Sequence, residues 1–193
     1  MENFIVGILP LLIAITVIIW IFYKPKQYDP QIFTAQPMPE NQIQKLQQLL
    51  DAIDTHIKKT NNHERLNDPI VDYHLFFDNN TFEGSIAPNQ EPFGLPRLHE
   101  MYLTLQQIEQ HPQVHSIWVS IHSDYDRDDL LQYNEWPSAN CIFFLTTNNI
   151  SEDQILDWTN SFIHNGLIAD ELLPTHAYLP RTNDQNLFGI WWD

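Results

Sequence analysis

The chain has one cysteine in 193 residues. That excludes an intramolecular disulfide framework and a cysteine-rich zinc site. Five glycines leave little backbone for loops that cradle phosphates, and no P-loop, HExxH or G-x-S-x-G sequence occurs. Lysine and arginine number 9 against 25 aspartates and glutamates, for a formal net charge of -16. So acidic a chain is not a nucleic-acid binder, because phosphates need basic side chains to neutralise them. With no catalytic motif, the expectation is a protein that is not an enzyme and holds no cofactor.

Hydrophobic residues make up 43 % of the chain, enough for one packed core at this length. The strongest local signal is an uncharged run, Phe4 to Tyr23. As a helix rising roughly 1.5 Å per residue it spans about 30 Å, the thickness of a hydrocarbon layer. Pro10 lies near its start, where proline is tolerated, and Trp20 and Tyr23 lie at its end, where rings favour the interface. The preceding Met-Glu-Asn has no base, and no small-x-small cleavage site follows. Residues 1–26 therefore read as an uncleaved single-pass anchor in an inner or plasma membrane, touching lipid through residues 4–23. Lys24 and Lys26 follow the run, and the positive-inside rule puts the remainder of the chain in the cytoplasm.

Residues 27–39 hold three prolines and no periodicity, and read as an extended linker. Residues 40–193 read as a soluble acidic α+β domain. Ile43, Leu46, Leu49, Leu50, Ile53 and Ile57 recur at steps of three and four, which predicts an amphipathic helix over 40–60. That helix either packs on its own domain or, with the span, supports self-association.

Over 69–193 the pattern predicts β-α-β-β-α-β. The strands are Pro69–Asp78, Val114–His122, Cys141–Thr147 and the final LFGIWWD. One helix follows Pro96, and another is capped by Ser151 and stopped by Asn165-Gly166. This resembles a ferredoxin-like sandwich with a four-stranded antiparallel sheet. Helices would cover one face; the first helix or the 167–185 segment would cover the other.

The most suggestive stretch runs from His122 to Trp136. Asp124, Asp126, Asp128 and Glu135 follow the ligand spacing of an EF-hand loop, which makes them weak metal candidates. Asp129 stands where that loop needs glycine, and the flanks read as strand. The stretch otherwise reads as a solvated acidic turn, or as a face for a basic protein made of Asp124, Asp126, Asp128, Asp129, Glu135 and Trp136. His74 and His122, with Asp72 and Asp124 nearby, form an acid–base or metal alternative if their strands are neighbours. Cys141 sits in an apolar run and reads as a buried hydrophobe. Adjacent Trp191 and Trp192 must point to opposite faces of a strand, so one of them needs a cover.

These readings converge on a membrane-anchored, non-catalytic acidic module that binds a basic toxin or enzyme, as an immunity or inhibitor protein does. The alternatives are a bitopic assembly component of an envelope or secretion machine, and a His/Asp hydrolase or ion sensor. Residues 27–193 hold 7 basic and 24 acidic residues, a net charge of -17. An anionic leaflet would hold such a domain off its surface.

Overall fold

The structure, a computed structural model, describes residues 39–60, 68–87, 97–169, 179 and 181–192. The expected span at 4–23 and all of the linker except Pro39 lie outside the described residues. Among the described residues no helix is long and apolar enough to cross a membrane.

Helix α1, Glu40–Thr60, forms over the expected stripe. Leu46, Leu49, Leu50 and Ile53 are buried, and Ile43 and Ile57 pack at their edge. Each fully buried side chain of this kind is worth about 2 kcal/mol, so the stripe is consumed within its own domain.

The first expected strand is two elements. Strand β1 is only Ile70–Asp72, and helix α2 follows at once over Tyr73–Phe77. Asp72 turns the chain, since its carboxylate accepts the N–H of His74 at 2.9 Å. A continued strand would have placed Tyr73, Leu75 and Phe77 on one face. The helix instead buries Tyr73, Phe76 and Phe77, the i, i+3, i+4 set.

A short 3-10 turn, Glu83–Ser85, precedes helix α3, Leu98–Glu109. Glu83 accepts the Leu98 N–H at 3.0 Å and so caps α3 from a distance in sequence. Strand β2 is Val114–Ile121, helix α4 is Arg127–Tyr133 and strand β3 is Ala139–Thr147. Helix α5, Glu152–Thr159, starts where expected, with the Ser151 hydroxyl accepting the Gln154 N–H. Its 3-10 extension ends earlier than Asn165-Gly166. Ile163 takes the left-handed conformation, φ 51°, uncommon for a β-branched residue. Strands β4, Gly166–Ala169, and β5, Gln185–Trp191, complete the sheet.

The sheet has five strands in the order β1-β2-β3-β5-β4, and every pairing between them is antiparallel. The architecture is α+β with an antiparallel sheet, but the ferredoxin-like order does not form. That order needs parallel strands joined through helical crossovers. Here the helices between β1 and β2 connect antiparallel neighbours instead. The fifth strand, β4, lies within what read as a long connection; four residues are too few to show alternation.

The five described helices pack on one face of the sheet. The main core joins α1 to Val71, Ile117, Val119, Ile121, Ile142, Phe144, Phe188 and Ile190. On the opposite face Ile70, Cys141, Phe143, Leu145 and Leu187 form a smaller cluster with Leu179, from the 167–185 segment. Cys141 is 8 % exposed and burial pushes its thiol pKa up, so it behaves as a small hydrophobe. Trp192 lies in the main core and Trp191 packs on the smaller cluster, as strand alternation requires.

Candidate functional site

The acidic stretch is a capped helix rather than a turn. Asp126 Oδ1 accepts the backbone N–H groups of Asp128 and Asp129 at 2.8 and 3.1 Å. Asp128 and Asp129 occupy the first turn of α4, where carboxylates favour the helix dipole. Asn134 closes the helix in the left-handed conformation, and the Glu135 N–H donates to Leu130 O at 2.9 Å. Asp126 therefore faces its own helix end and not a shared centre with Asp124, Asp128 and Glu135. Among the described residues no group of three or more His, Cys, Asp or Glu is placed to hold a metal ion.

Asp128, Asp129 and Glu135 are exposed, and the Asp124 side chain is 76 % exposed. His122 Nδ1 lies 2.8 Å from Asp124 Oδ1, out of line for a hydrogen bond. Arg127, the one Lys or Arg between residues 124 and 135, turns away from this face. Its guanidinium reaches Asp54 at 2.6 Å and Asp51 at 2.7 Å on α1. The hydrogen bond to Asp51 does most to hold its pKa above the ordinary value, with the charge of Asp54 adding to it.

Trp136 does not join this surface. It is 3 % exposed, sits in the main core and donates its indole N–H to Phe76 O at 2.9 Å. Acidic neighbours in sequence made it look exposed, but the chain turns inward after Glu135.

His74 and His122 are not brought together. Register pairs Ile70 with Ser120 and Asp72 with Trp118, so the two histidines leave opposite ends of β1. His74 belongs to a different group. Its Nε2 lies 3.2 Å from Glu109 Oε2 and its Nδ1 2.9 Å from the Tyr102 hydroxyl. The same Glu109 oxygen accepts the Tyr73 hydroxyl at 2.7 Å. The His74 ring thus bridges the Tyr102 hydroxyl and the Glu109 carboxylate, one through each nitrogen. Burial, then the Glu109 carboxylate, pushes the Tyr73 pKa far up, and burial raises that of Tyr102, so both remain donors. The cluster can pass a proton between its members, but its polar atoms serve one another and tie α2 to α3. Tyr73→Phe removes one charge-assisted bond at a buried ring. We expect a loss of about 1–2 kcal/mol in denaturant unfolding, with the fold unchanged.

His111 and His115 are four residues apart, but the turn into β2 separates them and they share no helix face. Burial holds the imidazoles of His56 and His164 below their ordinary pKa of 6.5. Lys59 adds to the effect at His56, and the Gly166 backbone opposes it at His164. The unfolded chain thus takes up protons that the folded one resists. Stability falls as pH drops through about 6.5 and levels off below the folded pKa values. Melting followed from about pH 7.5 to about pH 5.5 should show this decline, and His164→Asn should flatten part of it.

One tryptophan borders a cavity. Thr104, Gln107, Ile108, His111 and Trp158 line a groove of about 230 Å³ between the end of α3 and α5. The Trp158 ring is half-buried, 4.9 Å from the His111 ring and tilted 54° to it. Neither the groove nor the His74 cluster has a local pattern, since each joins residues tens of positions apart.

One family model matches the chain, over residues 44–184: the Uncharacterized protein YfbO family. No curated protein and no solved structure matches.

Proposed function

We propose, for a chain that belongs to the YfbO family, a role as a membrane-anchored, non-catalytic module that binds a basic protein. The observation that carries this reading is the outward face of α4. Asp124, Asp128, Asp129 and Glu135 stand in solvent, while Arg127, the arginine within this stretch, is spent on α1. Such a face repels acidic proteins and steers basic ones toward it. The Phe4–Tyr23 run anchors the chain in an inner or plasma membrane, and Lys24 and Lys26 favour a cytoplasmic domain. Neutralisation of a basic toxin or enzyme, as by an immunity or inhibitor protein, is the role that best uses an acidic face stationed at a membrane. An assembly component would need a free contact helix, and the apolar stripe of α1 is buried in its own core.

The test is capture by the tagged full chain in detergent micelles. A basic protein retained at about 0.1 M salt and released toward about 1 M supports the reading. Retention indifferent to salt, or of acidic proteins alone, sinks it.

A further inference from the structure

We infer that the groove between α3 and α5 seats an arginine side chain of the basic partner, with its guanidinium over Trp158. The inference rests on the reading above and adds a second contact to it, distinct from α4.

Four observations carry it. The groove, about 230 Å³, is smaller than the roughly 300–1,000 Å³ of small-molecule sites and suits a single long side chain. Its aromatic wall is a tryptophan, the ring that attracts a cation most strongly, and Trp and Arg are the residues enriched at interface hot spots. The tilted His111 ring packs against that indole and fixes its orientation. His111 Nδ1 accepts the Gln113 N–H at 3.4 Å, so the ring is itself held from behind.

Charge selects the occupant. Apart from Glu109, which serves Tyr73 and His74, helices α3 and α5 carry Glu100, Glu152, Asp153 and Asp157 and no Lys or Arg. An anionic side chain is therefore disfavoured, and a cation enters a favourable field. The rim supplies acceptors. Thr104 donates its hydroxyl proton to Glu100 O at 3.0 Å, which leaves its oxygen lone pairs for an incoming N–H. Gln107 offers an amide oxygen, and guanidinium is a pure donor.

The probes are acetyl-Gly-Arg-Gly-amide and the same peptide with citrulline, which keeps the shape and loses the charge. Both are titrated into the ¹⁵N-labelled full chain in micelles while the indole N–H signals are followed. The arginine peptide should shift the Trp158 signal and bind about five-fold tighter than the citrulline peptide. Trp158→Leu should abolish that preference while the signals of Trp118, Trp136, Trp191 and Trp192 stay in place. Trp158→Phe, which keeps the packing with a weaker ring, should reduce the preference without removing it. Equal binding of the two peptides, or an arginine preference that survives in Trp158→Leu, overturns the inference. Reversing the charges of α4 should leave the peptide preference intact, so failure at the groove is distinguishable from failure at α4.

Discussion

Trp136→Ala should destabilise the domain by about 3–5 kcal/mol, the usual cost of truncating a large aromatic in a core. The indole is 3 % exposed and packs among side chains from both the helices and the sheet. It also carries the hydrogen bond to Phe76 O, which fastens the segment before β3 to α2. Truncation leaves a cavity and a buried carbonyl without its donor, and the two penalties add. Domains of this kind have about 5–15 kcal/mol in total, so the variant should lose a large part of its stability. Trp136→Phe separates the terms, since it keeps most of the volume and loses only the indole N–H; about 1–3 kcal/mol is expected. Denaturant midpoints of the full chain measure both. A Trp136→Ala chain as stable as the parent but impaired in partner binding would return Trp136 to the surface.

The second large effect is kinetic. Changing Asp124, Asp128 and Asp129 together to lysine reverses the charge of the exposed end of α4. Asp126 is left in place, because it caps the helix and its loss costs about 1 kcal/mol for reasons unrelated to docking. Electrostatic steering is worth roughly 10- to 1,000-fold in association rate, so the triple variant should associate at least about tenfold more slowly at low salt. Dissociation should change less, because exposed charges act mainly on encounter. Near 1 M salt, with a screening length of about 3 Å, variant and parent should converge. Stopped-flow mixing of the full chain with its captured partner reads both rates. An unchanged association rate at low salt would remove α4 from the interface.

Much of the architecture was legible wherever a period ran long enough. The stripe of α1, the alternation of β2, the apolar runs of β3 and β5 and the Ser151 cap each follow from residues close in sequence. Helix α2 was not legible, because Tyr-His-Leu-Phe-Phe is rich in strand formers and five residues satisfy either period. Only the Asp72 cap decides between them, and it acts through one carboxylate. Strand β4 is hidden by its shortness, and the sheet order departs from the ferredoxin-like one because β1 and β2, though joined through helices, are antiparallel neighbours.

The site divides in the same way. The carboxylates at 124–135 are outside, as the composition suggested, since exposed acids need no partner. Their helical form is not legible in sequence, because Asp126 reads equally as a ligand or as a cap. The burial of Trp136 has no local sign, since nothing near it in sequence shows that the chain turns inward. Trp158 carried no distinguishing sign, because its neighbour His111 comes from another helix end 47 positions away. The Tyr73–His74–Tyr102–Glu109 cluster is likewise assembled by the packing of α2 on α3.

The most direct test of acidic-face docking is the association rate of the parent chain with its partner as ionic strength rises. Docking through this face predicts a fall of at least about tenfold between roughly 0.01 M and 1 M salt, as the screening length shrinks from about 30 to about 3 Å. A rate that stays flat or rises over that range would contradict it.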